Sequence, residues 1–208
     1  MKTQKKPAPG NERLAEIYRT AAQIILRKGY DATSVNDIAN ALGITKAGLY
    51  HYINGKKELL FDIMNFGLDE LDREVMIPSR AVSDAEKRLR TIVSRHACLV
   101  TKGDGAVTIL VDEMAALTPE QQRKITNRKR VYFDFVRDTI SQIKAEGKLR
   151  DVDPTVAAFS LLGMILWSSR WFRRDGGLTE QQVADEITKI AFKGLLRPEA
   201  SGRGLKVV

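Results

Sequence analysis

The side chains best equipped for chemistry crowd into one short stretch, "TKAGLYHYINGK", which runs from Thr45 to Lys56. Thr45, Lys46, Tyr50, His51, Tyr52 and Lys56 supply hydroxyl, ammonium and imidazole donors there, while Ala47 and Gly48 present almost no side chain. Donors of these types bind phosphate oxygens and the edges of base pairs. Small residues at the start of a short helix let its backbone come close to the floor of a groove. Lys56 would stand in the first turn of a following helix, where its charge and the free backbone amides both favour phosphate. Leu49 and Ile53 fit inward-facing positions that pack this short helix. The chemistry suggested is recognition of duplex DNA.

Enzymatic signatures are scarce. The chain has two histidines and one cysteine, and it contains no HExxH, GxSxG, P-loop or GxGxxG pattern. His96 and Cys98 are two apart on a helix and so point to different faces. A helical enzyme is therefore the weaker reading, and neither a metal nor a cofactor is expected. A single cysteine excludes an internal disulfide and suits a reducing, cytoplasmic setting. The N-terminus has no apolar segment of the secretory kind. The longest apolar run, "FSLLGMILW", is too short to span a bilayer, so no membrane partner is expected. The formal net charge is +8, and residues 1–60 hold ten Lys and Arg against five Asp and Glu. The positive excess thus falls in the segment that carries the donors, as an anionic partner would require.

Helix punctuation sets the elements that must position these groups. Ser34 with Asp37 reads as a capping box, and Thr45 as the next N-cap. Ser83 with Glu86, Thr118 with Gln121, Asp153 with Pro154, and Thr179 with Gln182 open later helices by the same logic. Gly29, Gly43, Pro78, Gly103 with Gly105, Gly147, Gly176 and Pro198 mark stops. Apolar residues recur at helical spacing between these signals, for example Ile17, Ala21, Ile24 and Ile25. An all-α chain of about nine helices is expected, with no strand. Residues 1–10 and 199–208 read as flexible tails, 11–56 as a three-helix DNA-binding module with a helix-turn-helix, and 57–198 as a larger helical domain.

Residues Thr33 to Leu59, "TSVNDIANALGITKAGLYHYINGKKEL", resemble the DNA-binding segment of the TetR family of bacterial transcriptional repressors. The match runs through Thr33, Ser34, Ile38, Ala39, Leu42, Gly43, Thr45, Leu49, Tyr50, Lys56 and Leu59. Ala47, Tyr52, Ile53 and Gly55 depart from the family's usual glycine, histidine, phenylalanine and serine. The resemblance implies that Thr33 and Ser34 touch phosphates. It implies that Thr45, Lys46, Ala47, Gly48 and His51 face the major groove, and that Tyr50, Tyr52 and Lys56 clamp the backbone. It also implies a homodimer on a palindromic operator, released by a small-molecule effector.

In the family the last two helices pair with their copies. On this chain that implies an interface including Phe159, Leu162, Leu166, Val183, Ile187 and Ile190, unless these serve the chain's own core. "LLGMILWSSRWFRRDGGLT" resembles a motif of the regulators of fatty-acid and acyl-CoA metabolism, through Gly163, Met164, Trp167, Trp171, Gly177, Leu178 and Thr179. A long-chain fatty acyl-CoA is then the expected effector, with Arg95, His96, Arg128, Tyr132, Trp167 and Trp171 as its contacts. The alternative is a repressor of an efflux or catabolic operon that senses another hydrophobic compound. The pocket is expected among the helices between Leu59 and Phe135. The long helix after Gly55 is expected to be the only element joining it to the DNA-binding module.

Overall fold

The computed structural model describes residues 9–198 except Asp104; of the expected tails, 1–8 and 199–208 lie outside the described residues, while Pro9 and Gly10 begin the first helix. Nine helices are present among them. They are α1 (Pro9–Lys28), α2 (Val35–Ala41), α3 (Lys46–Tyr50), α4 (Lys56–Leu71, continuing to Arg80), α5 (Ala85–Thr101), α6 (Ala106–Asp112), α7 (Pro119–Ala145), α8 (Pro154–Trp171) and α9 (Glu180–Leu195). No strand occurs among the described residues; one antiparallel bridge, Leu149 with Leu196, ties the end of α9 to the α7–α8 connection.

Local chemistry sets the helix ends. The Ser34 hydroxyl accepts from the Asp37 N–H at 3.1 Å while the Asp37 carboxylate accepts from the Ser34 N–H at 2.8 Å. Those bonds, together with Lys28, hold the Asp37 carboxyl down at about 2. Thr118 with Gln121 and Thr179 with Gln182 form the same reciprocal box. Gly43, at φ 66°, closes α2 in a left-handed turn: the Ile44 N–H reaches the Ala39 carbonyl and the Gly43 N–H the Asn40 carbonyl. That turn lets α3 start at once and cross α2.

Two helix boundaries differ from the sequence reading. Asp84, not Ser83, caps α5, because its carboxylate accepts from the Lys87 N–H at 2.8 Å. Pro78 does not end α4. A π-turn at Asp72–Met76 precedes it, with the Ile77 N–H donating to the Asp72 carbonyl. The Glu74 carbonyl, four residues before Pro78, has no N–H to receive from it; Arg95 Nη1 donates to that carbonyl at 3.2 Å instead.

The core begins in the DNA-binding module, where Ile17, Ala21, Ile25, Ile38, Leu49, Ile53 and Leu59 are buried. Each large apolar side chain contributes about 1.5–3 kcal/mol on burial. It continues through α4 into the larger domain, where α5 lies centrally against α7, α8 and α9. Helix α6 packs on both α1 and α4.

Candidate functional site

Two regions could bind something, one in each part of the chain. The first is the outer face of α2, α3 and the start of α4. Helix α3 has five residues, and its N-cap Thr45 accepts from the Gly48 N–H at 3.0 Å. Leu49 and Ile53 are buried beneath it. What remains outward is Thr45, Lys46, Ala47 and His51, with Tyr50 47% and Tyr52 45% exposed. Large aromatic side chains this open carry polar ends that an outside partner can use. A Cβ on Gly48 would meet the Thr45 hydroxyl at 3.2 Å and the Ile44 Cβ at 3.9 Å, so little in the protein itself fills that space. Ser34 is exposed at the start of α2.

Thr33 is the exception among the expected DNA contacts. It is 1% exposed, and its hydroxyl donates to the Gly29 carbonyl at 2.8 Å, which secures the α1–α2 turn rather than facing a phosphate. Lys56 is half-buried: its ammonium lies 4.2 Å from the Tyr30 ring centroid and donates to the Asp31 carbonyl at 3.3 Å. Its neighbour Lys57 is exposed and makes no hydrogen bond or ion pair among the described residues. Sequence reasoning passed over Lys57. Its signal was the same helix start, one residue further on.

The second region is a cavity of about 860 Å³ in the larger domain. Leu68 and Leu71 of α4, His96 of α5, and Val107 and Leu110 of α6 line one side. The facing surfaces of α7 and α8 line the other, including Tyr132, Phe133, Phe159, Leu162 and Leu166. Phe133 and Phe159 pack together in that wall with ring centroids 4.3 Å apart. Asn127, Lys129, Arg130 and Arg137 bring polar and basic groups to the α7 side. Burial pushes the Lys129 ammonium below its usual value, and it donates to the Leu110 carbonyl at 2.9 Å.

Of the six expected ligand residues, His96 and Tyr132 line this cavity and the other four do not. Arg95 is used at the Glu74 carbonyl. Arg128 joins α7 to α4 by bonding the Asn65 side chain at 2.9 Å and Asp69 at 2.6 Å. Trp167 and Trp171 stand outside the cavity lining on the exposed surface of α8, with Trp167 66% exposed. The expected interface residues also divide. Phe159, Leu162 and Leu166 line the cavity, and Val183 and Ile187 are buried within the chain. Ile190 is exposed. Val156, Phe159, Trp167 and Trp171 form an exposed apolar stripe along α8.

Among the described residues no cluster of His, Cys, Asp or Glu is placed to hold a metal ion, and no helix is long and apolar enough to cross a membrane.

Two family models match the chain. Residues 17–63 match the family described as bacterial regulatory proteins, tetR family, and residues 82–195 match the tetracyclin repressor-like C-terminal domain. The transcriptional repressor KstR2 of Rhodococcus jostii (strain RHA1) is 27% identical over 190 residues, covering 89% of this chain and 92% of KstR2. The solved structure of AibR in complex with isovaleryl coenzyme A and operator DNA is 43% identical, with a TM-score of 0.78, over 86% of this chain and 98% of AibR. The ketosteroid transcriptional regulator KstR2 of Mycobacterium tuberculosis superposes with a TM-score of 0.82 at 26% identity, over 90% of this chain and 97% of that one. The chain is a member of the TetR family of bacterial transcriptional regulators.

Proposed function

We propose that this protein is a repressor that binds a palindromic operator as a homodimer and leaves it when an acyl-coenzyme A occupies the cavity. The observation that carries this reading is the pairing, in one chain, of an outward donor-rich α3 with an apolar cavity flanked by basic side chains. The AibR complex, at 43% identity, supports it by holding both operator DNA and isovaleryl coenzyme A. Apolar walls suit an acyl group, and Lys129 and Arg130 suit the phosphates of a coenzyme. That relative's ligand carries a short branched acyl group, which favours a short chain here over the long one suggested by the tryptophan motif, since neither tryptophan lines the cavity. The α8 stripe supplies an apolar surface for the second copy.

A gel shift on DNA upstream of the protein's own gene tests the first half, and adding acyl-coenzyme A compounds from isovaleryl to palmitoyl tests the second. Release by isovaleryl-coenzyme A at micromolar concentration is expected. Tighter binding of palmitoyl-coenzyme A would restore the long-chain effector, and a shift that no acyl-coenzyme A reverses would exclude this effector class.

A further inference from the structure

His96 carries a polar atom that the protein leaves unmet. Its ring is 2% exposed, it lines the cavity, and its Nε2 has no hydrogen-bond partner. Its Nδ1 lies 3.0 Å from the Tyr132 hydroxyl, and the two rings meet edge to face at 5.4 Å. The hydroxyl has no other partner among the described residues, which fixes the arrangement of protons. If Nδ1 held the hydrogen, the phenolic O–H and the Nε2 lone pair would both lack a partner. If Tyr132 donates to Nδ1, Nε2 keeps its hydrogen and a single N–H is left over. The second arrangement leaves fewer unmet groups and is preferred. Burial holds the imidazole neutral, with its pKa lowered to about 4, and pushes the Tyr132 phenol upward, so neither group ionises near neutral pH.

A lone buried N–H is a costly feature that native proteins seldom keep without a use. In a cavity walled by Leu68, Leu71 and Leu162, an uncharged acceptor satisfies it without bringing in an unpaired charge. We infer that His96, held by Tyr132 as a positioning residue, recognises a carbonyl oxygen in the acyl part of the effector. This rests on the acyl-coenzyme A reading above. The oxygen belongs either to the thioester itself or to an oxo group further along the acyl chain, and the two sources can be separated.

The test is calorimetric titration of the full chain with two matched pairs. Isovaleryl-coenzyme A against S-(3-methylbutyl)-coenzyme A, its thioether, probes the thioester carbonyl. Acetoacetyl-coenzyme A against butyryl-coenzyme A probes an oxo group. In the wild type, one pair should show about tenfold tighter binding of the compound bearing the carbonyl. His96→Phe should abolish that preference, read as the ratio of the two affinities within the variant. His96→Gln, which keeps a donor, should restore part of it, and Tyr132→Phe should reduce it.

A reading that needs no variant comes from 15N NMR, since the chain has two histidines and His51 lies on the surface. The protonated Nε2 resonance of His96 should move when the preferred carbonyl compound binds and stay in place with its carbonyl-free partner. Equal affinity within both pairs, or a preference that survives in His96→Phe, overturns the assignment of His96 while the acyl-coenzyme A reading stands. Failure of all four compounds to bind the wild type at micromolar concentration overturns both.

Discussion

Lys56 and Lys57 are adjacent in sequence and differ in what they do. Lys56 spends its charge on the Tyr30 ring and the Asp31 carbonyl, and so braces the turn into α2. Lys57 has nothing to hold among the described residues. Lys57→Ala should therefore weaken operator binding several-fold, lower the salt dependence by about one unit, and leave thermal stability unchanged. Lys56→Ala should also lower stability by about 0.5–1 kcal/mol, the scale of an exposed cation–π contact. Binding measured at several salt concentrations, beside melting curves, separates the two; an unchanged salt slope for Lys57→Ala would remove it from the interface. His96 gives a second prediction. Its pKa is about 4 in the fold against about 6.5 when unfolded, so between those values the unfolded chain binds more protons. Stability contributed by the neutral imidazole is thus full above pH 6.5 and is lost as pH falls toward 4. Relative to His96→Phe, the wild type should lose up to about 3 kcal/mol over that window. Denaturant melts at pH 7 and pH 4.5 check this, and a pH-independent difference between the two proteins would contradict it.

At the scale of the helix, what was legible in the sequence was mostly local. Ser34, Thr45, Thr118, Asp153 and Thr179 cap helices as their types and neighbours foretell, because a cap is decided within four residues. The same reasoning picked Ser83 over Asp84, since both are good caps and only backbone geometry chooses between them. What a helix face meets is settled by the rest of the fold, and there the sequence was less informative. Arg95 and Arg128 are expected among the effector contacts, yet one donates to the Glu74 carbonyl ahead of Pro78 and the other bolts α7 to α4. The tryptophans of α8, expected at the effector from the resemblance of their motif, stand outside the cavity lining, because a motif does not say which neighbour a helix face meets. Gly67 is a similar case, unremarkable in sequence inside α4. A Cβ there would sit 2.6 Å from the Ala106 carbonyl oxygen, so the glycine is what lets α6 lie against α4. Gly67→Ala should push the two helices apart and cost about 1–3 kcal/mol, as overpacking does. An undiminished unfolding midpoint in denaturant would show that the contact relaxes without cost.

For the whole molecule, the question is how an occupied cavity would reach the DNA-binding face. The sequence suggested α4 alone as the connection, but the structure adds α6. One side of α6 supplies Val107 and Leu110 to the cavity, and just beyond its other end Glu113 accepts from the Tyr30 N–H at 3.2 Å. Tyr30 is the residue on which Lys56 rests, so α6 and the start of α4 meet at the same turn. The exposed stripe of α8 sets the second requirement, since two heads must be held at a fixed spacing to fit two half-sites. Trp167→Glu should yield monomers by light scattering and abolish operator binding; a dimer that persists would place the interface elsewhere. Within the dimer, coupling must be reciprocal: an effector that lowers operator affinity 100-fold is itself bound 100-fold less well on DNA, a coupling of about 2.7 kcal/mol. Glu113→Ala removes one hydrogen bond from the α6 route, worth about 1 kcal/mol. If that bond tightens only one of the two states, the coupling should fall about fivefold, with operator affinity in the absence of effector nearly unchanged. Effector titrations with and without operator read the coupling from both directions. An unaltered coupling in Glu113→Ala, beside a reduced one in Gly67→Ala, would assign transmission to the α4–α6 contact rather than to the Tyr30 turn.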